Sequence, residues 1–210
     1  MKLDEFLKPN DPLLYKKAKS IKKIDLHTKS FLGVVKKMEQ IAGVHQTLDR
    51  TKPTMLGLAA PQIGYGIKLI FVDTGATAKR DHTESNNIFM VNPKVLSHST
   101  KTQKGMEGCY STNLSGFDVR GAVSRYMSVT VKYMTLDGIT QTEKFSGFTA
   151  VIIQHEIDHL DGKVFIHRIK KEQDLHLVFP SELKKYQKEY HTWKRCMHPD
   201  LYFSDIVCVN

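Results

Sequence analysis

The stretch FTAVIIQHEIDHL, residues 148–160, decides how the chain is read. It is helix-length, it is apolar through Val151, Ile152 and Ile153, and Asp161-Gly162 ends it. On a helix, residues four apart share one face, one turn above the other. His155 and His159 can therefore direct their imidazoles at one ion. Glu156, beside the first histidine, can reach a water on that ion and act as a general base. Buried charged groups are costly unless paired or bound to metal, so a metal is the economical account of this run. The competing account is a set of satisfied polar residues along one side of a half-buried helix.

Strand patterns surround this helix. KLIFVD (68–73) reads as a short buried strand, and IFMVNPKVL (88–96) as another in which Pro93 favours a bulge or an edge position. SRYMSVTVKYMTL (124–136) alternates, Asp137-Gly138 supplies a hairpin turn, and ITQTEKFS (139–146) returns as its partner. An earlier helix is expected over 29–49, where Phe31, Val34, Val35, Met38, Ile41 and Ala42 form one apolar stripe before Pro53 breaks it. Residues 74–87 are polar and read as a surface loop. A last amphipathic helix is expected from Ser181 to about Lys194, and the tail after His198 has no clear period. The predicted fold class is α+β, with short, mainly antiparallel strands around a central helix carrying the HExxH motif.

The 210 residues suit one domain, with 1–170 as its body. Residues 171–210 form a C-terminal helix and tail, either part of that domain or an appendage. No apolar run approaches the roughly 20 residues that cross a bilayer. The start MKLDEFLKPNDPLL has acids, Pro9, Pro12 and no sustained apolar core, which is neither a secretory signal nor a transit peptide. A cytoplasmic location is therefore expected. Three cysteines, Cys109, Cys196 and Cys208, do not make a disulfide framework and fit a reducing compartment. The net charge is +9, with ten lysines against five acids in residues 1–40 and a second basic stretch, LKKYQKEYHTWKR (183–195). A solvated surface explains such an excess, and attraction to RNA is the sharper alternative. No zinc finger, basic heptad helix or aromatic RNA-binding signature accompanies it, and DNA binding has no support.

A catalytic metal usually needs a third protein ligand. Downstream of the helix, His167, His176 and Glu182 are available but sit in no recognised pattern. Upstream, MEGCYS (106–111) offers Cys109. A thiolate is a strong ligand for Zn(II) and Fe(II), and one Cys with two His leaves a position open for water. A lone cysteine is otherwise a small buried hydrophobe.

GLAAPQIG (57–64), EGCYS (107–111) and QHEIDHLDG (154–162), in that order, resemble the three motifs of peptide deformylase. FLKPNDPLL (6–14) resembles the family's N-terminal strand segment and VRGAVSR (119–125) its stretch after the cysteine, so the likeness spans about residues 5–170. The resemblance implies a metal-dependent hydrolase that removes the formyl group from N-formylmethionine of newly made polypeptides. It implies that Cys109, His155 and His159 hold one divalent metal, natively Fe(II) in much of the family, with Zn(II), Ni(II) or Co(II) able to occupy the site. It implies that hydroxide attacks the formyl carbon with Glu156 as general base and then general acid. Gln62 and the backbone N–H of Tyr110 match the groups that bind the formyl oxygen, and Gly57 matches a backbone contact to substrate. Read alone, GLAAPQIG is a tight loop under a sheet, with none of the Lys-Ser/Thr ending of a phosphate loop.

Two further expectations concern the surroundings. Arg120 pairs with Glu107 to brace the Cys109 loop, a surface arginine being the alternative. Phe148, Val151 and Ile152 line an apolar methionine pocket beside His155, although core packing accounts for them equally. The sequence departs from the family pattern in several places. Met55 stands where glycine is common, Tyr110 where leucine is commonest, and 110–119 is long and lacks the usual proline. In some members of the family the C-terminal helix binds the ribosome, and the resemblance implies that the basic segment 183–195 could serve there. Two other functions compete: a zincin-type endopeptidase, and a non-catalytic binder of formyl-peptides or the ribosome.

Overall fold

A computed structural model describes residues 3–44, 55–76 and 86–207. Helix α2 (Gly147–Leu160) rests on a five-stranded antiparallel sheet of β1 (Gly57–Ala59), β2 (Leu69–Asp73), β3 (Asn87–His98), β6 (Ser128–Met134) and β7 (Thr140–Ser146), in that order. A smaller antiparallel sheet holds β4 (Thr102–Gly108), β5 (Asp118–Tyr126) and β8 (Leu175–Val178). The α+β class and its antiparallel strands are as expected.

Strand β2 is buried along its whole length because both faces of its sheet are covered. Leu69 and Phe71 point to one side, into a cluster with Phe31, Val34 and Met38 of α1 (Lys29–Ala42). Ile70 and Val72 point to the other, against Ala150, Ile153 and Leu160 of α2. A fully buried side chain such as Ile153 contributes about 1.5–3 kcal/mol. This packing makes α2 a rigid platform for the residues on its remaining faces.

Several boundaries differ from expectation. Helix α1 starts at the Thr28 cap but stops at Ala42, because Gly43 takes a left-handed conformation (φ 75°) that closes the last turn. Pro53 and the rest of 45–54 lie outside the described residues, as do 77–85 of the expected surface loop. The segment 124–136 is two strands in two sheets, divided at exposed Met127. Buried residues keep odd numbers through the break, from Val119, Val123 and Arg125 to Val129, Val131 and Tyr133, so periodicity could not reveal it. At Pro93 the β3–β6 register shifts between Val91 and Lys94, the bulge that proline favours, with Asn92 at φ 52°.

The N-terminal segment forms 3-10 turns at Leu3–Glu5 and Pro12–Tyr15 rather than a strand. The amphipathic segment is α-helical only over α3 (Leu183–Glu189), flanked by 3-10 turns. The tail is a helix, α4 (Pro199–Val207), whose Tyr202 is fully buried. No described helix is long and apolar enough to cross a membrane.

Candidate active site

The α2 face away from the sheet meets the end of β4 and the turn after β1. Cys109 follows β4 directly and opens a 3-10 turn over Tyr110–Thr112. Its Sγ lies 3.4 Å from His159 Nε2. Donor atoms of Cys109, His155 and His159 all lie within 4.8 Å of one another. The Cys109 candidate, 46 residues before His155, therefore joins the two histidines, while His176 is occupied by Tyr186 Oη and the Gln173 carbonyl and His167 by Val164.

The neighbours prepare this trio for a cation. Burial alone would push the Cys109 thiol up, but the charges and hydrogen bonds of the His159 and His155 imidazoles outweigh it and hold the thiol well below its usual range. The thiolate is the form that binds metal. His155 Nδ1 meets Glu107 Oε2 at 2.8 Å, which turns Nε2 toward the cluster. Burial would raise Glu107, yet hydrogen bonds from Arg125 and His155 bring it down to about 2, so it is ionised. A thiolate and two imidazoles suit Zn(II) or Fe(II).

Gln62 sits in the 3-10 turn Ala60–Ile63, and the Ala59 N–H donates to its Oε1 at 2.7 Å. That bond aims Nε2 at Cys109 Sγ, 3.1 Å away. Glu156 is 4% exposed, and its Oε2 has no hydrogen-bond partner. Burial pushes its carboxyl up to about 7. Gly57 is required beside it: a Cβ there would stand 2.5 Å from Glu156 Oε1 and 2.7 Å from Ile152 Cγ2.

These groups surround a cavity of about 200 Å³. Gln62, Cys109, Tyr110, His155 and Glu156 give it a polar end, and Phe148, Val151 and Ile152 an apolar wall. Met55, Leu56 and Met106 extend that wall; of these only Met55 stands out in the sequence, as a departure. The Tyr110 ring is 40% exposed and packs on Phe6, centroids 5.3 Å apart.

The expected Arg120–Glu107 pair is corrected. Arg125 donates from Nε and Nη2 to both Glu107 oxygens, at 2.7 and 2.8 Å, and from Nη1 to Asp158 at 2.5 Å. Arg168 closes the network with two bonds of 2.5 Å to Asp158. Arg120 and Arg125 are five residues apart on one strand, so alternation sends them to opposite faces. Arg120 lies opposite Gly108, where a Cβ would collide with its guanidinium, and its ion partner is Asp118 at 3.7 Å. The signal for the correct brace was Asp158, an acid on an apolar helix, which demands a buried cation.

The model of the polypeptide deformylase family matches residues 3–174. The chain belongs to that family. A peptide deformylase of Chlorobium phaeobacteroides is 34% identical over 185 residues, covering 87% of this chain and 83% of that one. A class I type b peptide deformylase from Acinetobacter baumannii, solved with Met-Ala-Ser bound, superposes with a TM-score of 0.64 at 32% identity, covering 78% of this chain and 96% of that one. The fold alone is also shared with a peptide deformylase from Plasmodium falciparum, at 24% identity and a TM-score of 0.61 over 89% of this chain and 91% of that one. Deformylases are metal-dependent hydrolases, and the Cys-His-His cluster fits that chemistry.

Proposed function

We propose that this chain releases formate from the N-formylmethionine of newly made polypeptides, with Glu156 carrying the proton transfers. One observation carries the reading: a buried, unpartnered carboxyl raised to about 7 stands beside three converging metal donors in one cavity. Cys109, His155 and His159 would hold a single divalent cation, Fe(II) first and Zn(II), Ni(II) or Co(II) as alternatives. When bound, the cation supplies Lewis-acid activation of a water molecule. Glu107 and Arg125 keep His155 oriented for that role.

In this reading the Glu156 carboxylate takes a proton from the attacking water, a transfer a base near neutrality makes efficient. The water oxygen bonds to the formyl carbon, and negative charge moves to the formyl oxygen. Gln62 Nε2 and the Tyr110 N–H are the donors to that oxygen, each worth about 3 kcal/mol in comparable sites. As the carbon–nitrogen bond breaks, Glu156 returns the proton to the methionine nitrogen. Formic acid, which ionises to formate at neutral pH, and the free amine result. Phe148, Val151 and Ile152 accept the methionine side chain, and the Gly57 backbone aligns the peptide beside Glu156.

The reaction suits the cytoplasm, where new chains emerge. Lys184, Lys185, Lys188 and Lys194 are exposed on the basic C-terminal segment, which supports docking to the ribosome. The deciding experiment is deformylation of a formyl-Met peptide by anaerobically purified protein beside Glu156→Gln. The variant is expected to keep its metal and lose roughly 10²–10⁴-fold in kcat. A metal-loaded wild type with no turnover refutes the proposal.

A further inference from the structure

We infer that Tyr202 is a positioning residue for the turn that carries Cys109 and the Tyr110 N–H, and that the C-terminal segment completes the active domain. The inference rests on the roles proposed above for those two groups. The family match ends at residue 174, and β8 begins at Leu175. This strand pairs with β5 from Asp118↔Val178 to Gly121↔Leu175, adding the third strand of the smaller sheet. The chain after it is fastened back, with Leu177 N donating to Arg195 O at 2.9 Å and Met197 N to Leu175 O at 3.0 Å. Helix α4 then delivers Tyr202 into the apolar cluster that contains Cys109, Val119, Phe165 and Leu175.

Packing alone asks only for an apolar ring at this point. The phenol does more: Tyr202 Oη donates to the Thr112 carbonyl at 3.0 Å, entirely within the protein. Thr112 is itself tied to Cys109, its N–H and Oγ1 both donating to the Cys109 carbonyl at 3.1 and 2.8 Å. A continuous path of hydrogen bonds thus runs from α4 to the backbone of the thiolate ligand. Tyr110 lies inside the same turn. Removing the hydroxyl leaves a buried carbonyl without its partner and frees one end of the turn. Sub-ångström shifts of a ligand or donor translate into rate because productive geometry is narrow.

The test compares full-length wild type, Tyr202→Phe and Phe203→Leu, each loaded with Co(II) under anaerobic conditions. Phe203 shares α4 and packs on Tyr15, His167 and, edge to face, the Tyr202 ring, so its replacement perturbs the same packing without touching the hydroxyl. Tyr202→Phe should lower kcat about three- to tenfold with KM within about twofold, and should shift the thiolate–Co(II) charge-transfer band, well below its unfolding temperature. Phe203→Leu should lower the thermal midpoint while leaving kcat and the band near wild type. A Tyr202→Phe protein with unchanged kcat and band overturns the inference, and so does a Phe203→Leu protein that matches its losses. If wild type binds Co(II) without deformylating, the functional reading fails while the band still decides the role of Tyr202.

Discussion

Two clefts among the described residues flank helix α2, and the smaller holds the proposed active site. The first, about 200 Å³, takes Phe148, Val151, Ile152, His155 and Glu156 from one side of the helix. The second, about 640 Å³, takes Gln154, Ile157, Asp158 and Asp161 from the other and adds Lys17, Lys68, Lys94, Lys163 and Arg168. In the larger cleft the buried polar groups are spent on structure. Gln154 bonds Tyr126 on both backbone groups, Asp158 takes two arginines, and Asn92 holds Ile21. In the smaller one Glu156 Oε2 is buried with nothing to bond. A buried group left unpaired costs stability, and that cost, rather than volume, is what supports the proposed role of Glu156.

Four variants break or sharpen this contrast. Cys109→Ser should act most strongly, weakening metal affinity at least roughly 100-fold by chelator competition, since a hydroxyl is a poor replacement for a thiolate. A zincin using His167, His176 or Glu182 as its third ligand would keep its metal, so retained affinity would revive that alternative. Next comes Arg125→Met, which leaves Glu107 and Asp158 short of a buried partner. We expect a loss of about 3–5 kcal/mol in denaturant unfolding. A cost near zero would mean that His155 and Arg168 suffice.

Gly57→Ala follows. Its Cβ must push Glu156 or Ile152 aside, and kcat should fall up to roughly 100-fold while the Co(II) spectrum stays close to wild type. An unaffected rate would remove Glu156 placement from the account. The smallest effect belongs to the large cleft. Lys94→Ala with Lys163→Ala should leave kcat/KM for a short formyl peptide within about twofold, because exposed cations there touch no reacting group. A tenfold loss would give the second cleft a part in the reaction.

Legibility followed locality. Helix α2, the buried strand β2 and the β6–β7 hairpin were readable because each depends on neighbours a few residues away. The end of α1 was misjudged because the expected helix ran on past Gly43, whose left-handed conformation closes it after Ala42. The switch of sheets at Met127 was invisible because side-chain parity is unbroken across it. The helix in the tail was missed because nine residues anchored by one buried tyrosine carry little period of their own.

Taken by itself, the sequence determined that two histidines share one helical face with a glutamate beside the first, which follows from spacing along the chain. Its three motifs, in order, resemble those of the deformylases. Only the tertiary structure decided that Cys109 comes within 3.4 Å of His159, that Arg125 rather than Arg120 holds Glu107, and that Tyr202 reaches Thr112. The physical reason is shared. Partners 18 to 90 residues apart meet through strand register and packed layers, which no local pattern encodes.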